Sequence, residues 1–309
     1  MKHSPAWTAL RILLLVVIWG ASFSVYKVAL NYSPPLLFAG VRTFLGGVIL
    51  AVFAWPQRHQ IRWKQSWPVY VISALFNVVL FFGLQTVGLS YLPAGLFSVL
   101  VYLEPVLVGL FAWMWLGEIM NWWKVLGLVL GFAGVASISI DSLAGHLSLI
   151  GTVIGIFTAI AWAIGTVYSK KVQGRTQMLW LLAIQFLLGG AVLTGAGSLT
   201  ESWAAITWNG PFLFGTLYAS LFGIAASWSI WFSLVHEGEA SRVAAFTFFV
   251  PMISVLVATL FLHEPFTPKL VIGLVAIVLG IYLVNRKVKK PNLKQSAEVT
   301  ERRSEASCN

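Results

Sequence analysis

The sequence predicts an all-α integral membrane protein with ten transmembrane helices arranged as a 5+5 inverted-topology repeat. Of its 309 residues, 59% are hydrophobic and only 10% are charged, whereas soluble domains average about 25% charged residues. So few charges cannot cover a water-facing surface, and lipid must cover the long apolar runs. An internal repeat with an odd number of apolar segments in each copy predicts the inverted arrangement.

Ten apolar segments are long enough for a helix to cross roughly 30 Å of hydrocarbon, which takes about 20 residues. In chain order they are Leu10–Leu30, Leu36–Trp55, Pro68–Leu89, Ala94–Leu116, Trp122–Ile140, Leu147–Tyr168, Met178–Leu199, Pro211–Val235, Val243–Leu262 and Pro268–Val284. The connections are too short to hold a soluble domain. The first segment runs on to Leu30 with no soluble domain after it, so we interpret it as a membrane helix and not as a cleaved signal peptide.

Basic residues in the connections predict the orientation. Lys and Arg follow segments two, six, eight and ten, as Arg58 and Lys170 illustrate, whereas the connections after segments one, three, five and seven carry none. Lys269, near the end of segment nine, is the exception. The positive-inside rule then predicts a multi-pass protein of the cell membrane with both termini cytoplasmic. The N-terminus would comprise residues 1–11, and residues 286–309 would form a disordered cytoplasmic tail.

The formal net charge of +10 does not indicate a nucleic-acid partner, because the basic residues lie in connections and tails and form no stripe on a soluble face. The single cysteine, Cys308, excludes an intrachain disulfide and a multi-thiolate metal site. The sequence contains no phosphate-binding loop, HExxH motif or nucleophile elbow. We therefore expect no enzyme activity, catalytic residue, metal or cofactor. The expected partners are the lipid bilayer and a small-molecule substrate.

The two halves of the chain resemble each other in register. Residues that recur after 143 or 146 positions include the pairs Trp19 and Trp162, Lys27 and Lys170, Pro105 and Pro251, Glu118 and Glu264, and Gly127 and Gly273. We call residues related by these offsets repeat equivalents. The repeats are predicted at residues 12–140 and 147–285. Because each copy holds five helices, the second copy must enter the membrane from the opposite side. In such proteins one half moves against the other around a site near the bilayer midplane, which indicates transport.

Several stretches of the sequence resemble a known family. Residues 89–135 read LSYLPAGLFSVLVYLEPVLVGLFAWMWLGEIMNWWKVLGLVLGFAGV, and the second half contains FVPMISVLVATLFLHEPFTPKLVIGLVAIVLGIYL. With the opening VVIWGASFSVYKVAL and the VRTFLGG after Pro34 and Pro35, they resemble EamA domains of the drug/metabolite transporter superfamily. The resemblance covers about residues 12–285. It implies a carrier of the cytoplasmic membrane in which helices one to four and six to nine surround a central cavity. Family substrates include amino acids, purine-like compounds and other small metabolites, often exported.

The second half departs from the first at two places. His263, Glu264 and Pro265 stand where the first half has Gly117, Glu118 and Ile119. Val250 stands where the first half has Glu104, so we do not expect a strictly symmetric binding site.

Three ionisable residues lie well inside the predicted segments: Lys27, Arg42 and Glu104. A charge near the bilayer centre costs at least ~2.5–3.5 kcal/mol, so each should face protein or water. Glu104 lies ten residues after Ala94, or ~15 Å along a helix, close to the midplane. We expect it to pair with a cationic substrate group or to take a coupling proton. The alternatives are a structural pair with Arg42 or a hydrogen-bonded protonated acid.

The other candidate residues follow from depth and chemistry. Arg42 is suited to a substrate carboxylate, or else to Glu104 or a helix-end carbonyl, and Lys27 is close enough to the outer surface to snorkel. Further candidates for substrate binding or coupling are Tyr102, Gln85, Trp19, Trp162 and Thr166. The structural positions shared with the family are Glu118, Glu264, Pro105 and Pro251. We expect the two glutamates to cap the following helix or to bind loop amides.

Glycines recur at helical spacing in segments five and ten, at Gly127, Gly131 and Gly134 and again at Gly273 and Gly280. Small-residue stripes allow helices to approach closely. These glycines indicate either a contact between the two halves or the face of a homodimer.

These observations favour a secondary transporter, most simply an exporter of a small polar metabolite such as an amino acid or a related compound. It would work by alternating access, with proton coupling as an option. Within transport, a nucleotide-sugar or phosphate antiporter and a lipid-linked-sugar translocator stay open. The antiporter usually needs paired cations in both halves. Outside transport, a membrane enzyme acting on lipid stays open, although such enzymes usually need Asp or His clusters at an interface.

Overall fold

The structure, a computed structural model, describes residues 4–61, 63–92, 97, 100–138, 148–253 and 268–286. The α-helices within these ranges are α1 (Pro5–Leu30), α2 (Pro35–Ala54), α3 (Trp63–Ala74), α4 (Phe81–Tyr91), α5 (Glu104–Leu116), α6 (Trp122–Ile138), α7 (Leu149–Lys171), α8 (Met178–Thr200), α9 (Gly210–Tyr218), α10 (Ser227–Glu237), α11 (Ala240–Ala245) and α12 (Pro268–Asn285). The 3₁₀ helices are Trp55–Gln60, Trp203–Ala205 and Phe246–Phe248. The part of the chain described here contains no β-strand.

Among the described residues, six helical stretches are long and apolar enough to cross a membrane. They are α1, α2 with its 3₁₀ extension, α3 continuing into α4, α7, α8, and α9 continuing into α10. Shorter apolar helices of 10–17 residues comprise α5, parts of α6 and α12, and the stretch from Ala240 to Ile253. The nearly all-helical, apolar character predicted from the sequence is therefore confirmed. The predicted tail falls almost entirely outside the described residues, as does Glu264.

Helix α1 begins at Pro5, five residues before the predicted start at Leu10. The Ser4 hydroxyl accepts a hydrogen bond from the backbone N–H of Trp7 (3.3 Å), and Pro5 follows at the first helical position. Both features are typical of a helix N-terminus. Much of the stretch predicted as an N-terminal extension is therefore helical, because capping chemistry sets the start of a helix and hydropathy does not.

The fourth predicted segment, Ala94–Leu116, is not one continuous helix. Residues 102 and 103 form a turn, and α5 begins at Glu104. Pro105 explains the interruption, since it has no N–H to donate and its ring clashes with the carbonyl four residues earlier. The N–H groups of Val106 and Leu107 instead share the carbonyl oxygen of Leu103. The predicted single helix is thus wrong at the residue of greatest interest.

Two π-helical turns interrupt the third and eighth predicted segments. Leu75–Leu80 joins α3 to α4, and Ala219–Ala226 joins α9 to α10. The last residues of the two turns, Leu80 and Ala226, are repeat equivalents. π-helical turns are rare and occur frequently at functional sites. Hydropathy alone does not predict them.

Helices α6 and α12 run antiparallel and are in backbone contact through their glycines. A Cβ atom on Gly127 would lie 2.6 Å from the carbonyl oxygen of Gly280, and one on Gly134 would lie 2.7 Å from that of Gly273. Helices α2 and α8 also pack antiparallel along their lengths, with Gly40 against Thr194. The glycine stripes therefore form a contact between the two halves, while a homodimer stays a prediction.

The outward surface of the helices is apolar. Large side chains that would avoid water are broadly exposed, with Leu199, Leu149 and Phe214 among the most exposed at 89%, 77% and 64%. Soluble monomers rarely expose contiguous apolar surface on this scale. A bilayer accounts for it.

We expect Gly134→Val to destabilise the protein, because the new side chain would meet the Gly273 carbonyl and force α6 and α12 apart. Overpacking of this kind costs about 1–3 kcal/mol. Thermal unfolding of the detergent-purified protein measures the effect. Gly195→Val is the matched control, since nothing lies within 4 Å of the position its Cβ would take. Equal melting temperatures for the two variants would contradict the proposed close contact.

Candidate functional site

The centre of the bundle is an aromatic cluster shared by the two halves. The rings of Trp19 and Trp162 lie 5.4 Å apart in an edge-to-face arrangement. Those of Phe82 and Trp228 lie 5.6 Å apart. Each pair joins repeat equivalents. Equivalent residues therefore contact each other at the boundary between the halves.

A small cavity lies against this cluster. Its walls are Trp19, Ser22, Tyr26, Phe81, Phe82, Gln85, Val101, Tyr102, Trp162, Gly223 and Trp228. It leaves about 40 Å³ for the centres of water molecules, and one water needs about 10–15 Å³ by this measure. The cavity therefore has room for a few waters, and a metabolite would fit only after the helices move apart.

Arg42 lies directly behind one wall of the cavity. Its side chain is 1% exposed. The guanidinium carbon is 4.1 Å from the ring centroid of Tyr26, 5.0 Å from that of Phe82 and 5.1 Å from that of Phe38. Aromatic faces stabilise a cation at these distances. Because Tyr26 and Phe82 also line the cavity, they separate Arg42 from it.

The Arg42 guanidinium is incompletely satisfied. Within the described residues, its Nε and Nη1 atoms are buried without a hydrogen-bond partner, and no carboxylate forms an ion pair with it. The alternative that Glu104 and Arg42 form a structural pair does not hold in this structure. A buried cation without an anion is costly.

Glu104 begins α5 beside the cavity wall formed by Tyr102. The residue is fully buried, and neither carboxylate oxygen has a hydrogen-bond partner among the described residues. Thr166 on α7 lies next to the carboxyl group, but the two side chains do not meet hydrogen-bonding geometry. Glu104 is therefore a buried acid held at the break in segment four with no cation from the described chain to neutralise it.

The structure separates the remaining candidates. Trp19, Trp162, Tyr102 and Gln85 line the cavity, and the Gln85 Oε1 atom is buried without a partner among the described residues. Lys27 is exposed on the outside of the bundle and does not line the cavity. Ser22 and Phe82 line it although their sequence context does not distinguish them from packing residues. Only the fold identifies these two.

A second polar group lies on the far side of the aromatic cluster from Arg42. The Asn77 amide nitrogen donates to Gln185 Oε1 (3.2 Å) and to Ser169 Oγ (3.4 Å). All three side chains are at most 1% exposed. Asn77 Oδ1 and Gln185 Nε2 have no partner among the described residues. We call Asn77, Gln185 and Ser169 the amide cluster.

Glu118 joins the end of α5 to the start of α11. Gly117 has a φ of +67°, which ends α5 and places Glu118 beyond it. The Glu118 carboxylate accepts hydrogen bonds from the backbone N–H groups of Ala240 (2.5 Å) and Ser241 (3.3 Å) and from the Ser241 hydroxyl. The helix it caps is therefore α11 of the other half and not the following helix α6.

Side chains from three other helices bind the connection around residues 236–242. Arg11 of α1 forms a bidentate ion pair with Glu237 (2.9 and 2.6 Å). Lys124 of α6 donates to Glu239 (2.6 Å), and Lys170 of α7 donates to the carbonyl oxygens at positions 236 and 238 (2.8 Å each). We call this end of the bundle the basic face. At the opposite face, Glu201 accepts hydrogen bonds from the start of α2.

A model of the EamA-like transporter family matches residues 6–140 and 149–286. The chain belongs to this family. Each half of the chain carries one copy of the family domain, and the resemblance seen in the sequence is confirmed. The molecule is thus a multi-pass membrane protein of a transporter family.

Individual relatives cover nearly the whole chain. A Bacillus subtilis (strain 168) protein named "Uncharacterized transporter YvbV" is 51% identical over 290 residues, which are 94% of this chain and 95% of that protein. An Escherichia coli (strain K12) protein named "Probable amino-acid metabolite efflux pump" is 26% identical over 285 residues, or 88% and 92% of the two chains. A solved crystal structure has a TM-score of 0.79 at 19% identity and covers 91% of this chain and 97% of that one. This last likeness concerns the fold alone.

Substitution of Glu118 tests the cap between the halves. We expect Glu118→Ala to lower the thermal stability of the purified protein, because it leaves the N–H groups at the start of α11 unpaired. An unpaired buried donor costs about 1–3 kcal/mol. Glu118→Gln keeps one acceptor oxygen and should fall between wild type and Glu118→Ala. An alanine variant as stable as wild type would show that the cap contributes nothing.

Proposed function

We propose that this protein is a secondary transporter that exports a small polar metabolite, such as an amino acid or a related compound, by alternating access. One observation carries the proposal. A buried acid, Glu104, and a buried base, Arg42, both lack a counter-charge in the described structure and flank a cavity between the two halves. A zwitterionic or similarly polar substrate supplies both counter-charges.

The architecture that we propose has ten membrane helices in two inverted repeats of five. The contacts between the halves support it, because they recur in mirrored form. Gly47 packs against Leu187, and Gly190 packs against Phe44. Gly190 is the repeat equivalent of Gly47, and Leu187 is that of Phe44. Antiparallel packing of equivalent helices is expected when the copies enter the membrane in opposite senses.

We further propose that the basic face is cytoplasmic and that both termini lie there, in the cell membrane. The positive-inside distribution of Lys and Arg supports this orientation. The cavity then opens alternately toward the basic face and toward the opposite face.

In this mechanism Arg42 holds the carboxylate of the substrate once Tyr26 and Phe82 move aside, since guanidinium and carboxylate pair through two parallel hydrogen bonds. Glu104 either pairs with the substrate ammonium group or carries a proton that exchanges with the substrate. Either role requires that water or substrate reaches the Glu104 carboxyl group when the cavity is open to one of the two faces. The family relatives named as amino-acid metabolite efflux pumps support this choice of substrate.

A nucleotide-sugar or phosphate antiporter is less well supported. Such a carrier would present cations in both halves of its cavity. The repeat equivalent of Arg42 in the second half is Gln185. Lys27 is exposed and does not line the cavity. The described site therefore offers one buried cation, which suits a single carboxylate better than a phosphate chain.

Replacement of Glu104 tests its role directly. The purified protein is first screened by thermal shift against amino acids, nucleobases and sugars, and the compound that stabilises it most is used for flux in proteoliposomes. We expect Glu104→Gln to reduce the response of flux to an imposed pH gradient at least tenfold, because glutamine keeps the shape but carries no proton. Glu298→Gln is the control, since Glu298 lies in the C-terminal tail beyond the last predicted segment. A Glu104→Gln variant with full activity and the wild-type pH dependence would remove Glu104 from the mechanism.

Substitution of Arg42 tests carboxylate recognition. We expect Arg42→Gln to raise the KM for the transported carboxylate by about tenfold or more, since a bidentate charge-assisted pair is worth more than about 1.4 kcal/mol. The Arg42→Gln variant should also lose the preference of the wild-type protein for the acid over the carboxamide analogue of the same compound. The comparison of acid and carboxamide within one variant cancels any general loss of folded protein. Unchanged discrimination would assign Arg42 a structural role.

A further inference from the structure

The region of the other half that is equivalent to the cavity is not open, because a side chain fills it. Gly223 lies against Ser22 and Tyr26, and all three line the cavity. The repeat equivalent of Gly223 is Asn77, and that of Ser22 is Gly165. In the structure Asn77 packs directly on Gly165. The same helix contact thus forms an open cavity on one side of the aromatic cluster and a packed amide on the other.

The register of this mirror relation comes from the contacts themselves. Gly46 packs against Ile224, and Gly189 packs against Val78. Gly46 and Gly189 are repeat equivalents, and so are Val78 and Ile224. The two contacts are therefore the same contact in the two halves. They lie one residue from the pair formed by Asn77 and Gly223.

Arg42, the charged residue behind the cavity, also has a repeat equivalent on the other side. Arg42 precedes a Gly-Gly pair by four residues, and Gln185 precedes the equivalent Gly-Gly pair by four residues. Tyr26, which stacks on Arg42, is equivalent to Ser169, which contacts Asn77. The amide cluster is thus the mirror of the Arg42 site, with neutral groups in place of the cation.

Both positions lie in irregular helix. Asn77 lies within the π-helical turn Leu75–Leu80, and Gly223 lies within the π-helical turn Ala219–Ala226. π-helical turns are rare and often lie at functional sites. The two halves therefore carry such a turn at equivalent positions, one on each side of the aromatic cluster.

The amide cluster is unsatisfied in its packed state. Asn77 and Gln185 are fully buried, and each keeps an amide atom that has no partner among the described residues. Unpaired buried polar groups are few in native proteins, and a functional role is one explanation for them.

We propose that Asn77, Gln185 and Ser169 form a second substrate subsite, which is used when the bundle opens toward the basic face. Its ligand is a compact polar group that donates to one amide and accepts from the other, such as the ammonium and carboxylate of an amino acid. The inference rests on the proposed alternating-access function. The carrier then meets its substrate through a neutral site from the basic face and through a cationic site from the opposite face.

Thiol accessibility tests this inference without knowledge of the substrate. The single native cysteine allows a Cys308→Ser background, into which Ser169→Cys and Ser22→Cys are introduced separately. The probes are two membrane-impermeant methanethiosulfonates of similar size, one with a sulfonate and one with a trimethylammonium group. Each is applied to one side of membrane vesicles of known orientation. Thr158→Cys is the control for nonspecific exposure, since Thr158 is fully buried and is not among the residues that line the cavity.

We expect Ser169→Cys to react from the basic face. Because Lys170 is its neighbour in the chain and lies at that face, the ratio of its rates with the two reagents serves as the baseline for the variants. Ser22→Cys should react from the opposite face and should favour the anionic reagent at least tenfold. Thr158→Cys should stay unreacted from both faces. Arg42→Gln should abolish the charge preference at Ser22→Cys and leave Ser169→Cys unchanged.

The mirrored exchange Gln185→Arg makes the test stricter. It should raise the preference of Ser169→Cys for the anionic reagent about tenfold over the value measured beside native Gln185, which a purely structural role for the cluster would not produce. If that variant does not fold, the reactivity of Ser169→Cys beside an unaltered Gln185 still decides the matter.

Failure of this inference is distinguishable from failure of the proposed function. Substrate flux together with an unreactive Ser169→Cys would overturn the second subsite and leave the transporter proposal standing. Reactivity of Ser169→Cys only from the face opposite the basic face would overturn it equally. The expected labelling pattern without flux of any screened metabolite would support the two-sided crevice and count against the proposed substrate class.

Discussion

Antiparallel contact between equivalent helices is the constraint on which the rest of the structure depends. Helices α6 and α12 approach until a Cβ on Gly127 would collide with a backbone carbonyl, and α2 and α8 approach as closely at Gly40. Inside lipid the hydrophobic effect does not drive helices together, because lipid tails are as apolar as the side chains. Close van der Waals packing must therefore supply the driving force for association. Because equivalent helices meet at the interface, positions on one side of the aromatic cluster have equivalent positions on the other. The two sides then differ in the side chains that occupy these positions.

Equivalent connections at the two faces also differ in their side chains. Residues 236–242 read HEGEASR, and the equivalent residues 90–96 read SYLPAGL. The first stretch is held by Arg11 and Lys124 through ion pairs, whereas the second contains no charged residue with which to form them. An ion pair weakens with salt and with charge substitution, while apolar contacts do not. The basic face therefore carries ion pairs for which residues 90–96 offer no charged partner.

Hydropathy and the repeat anticipate the long helices well, including the bounds of α8 to within one residue. They miss the features that create the site. A window of about 20 residues does not register the π-helical turns or the interruption before Glu104, although Pro105 gives a chemical reason for the latter. Hydropathy also cannot separate burial in lipid from burial in protein, since both are apolar. The sequence allows Lys27 to snorkel to the outer surface but leaves the surroundings of Arg42 undetermined. The structure exposes Lys27 and buries Arg42 among aromatic rings.

The mechanism proposed above depends on how Arg42 is buried. Three aromatic rings surround the guanidinium and replace part of its hydration. They supply no anion, so in the proposed mechanism the cation stays available for a substrate carboxylate. Two of the rings belong to the cavity wall, and the proposal requires them to move aside before the substrate reaches Arg42. A permanent pair with Glu104 would remove the charge that the proposed mechanism uses. The absence of that pair from the described structure is therefore what would couple recognition to movement.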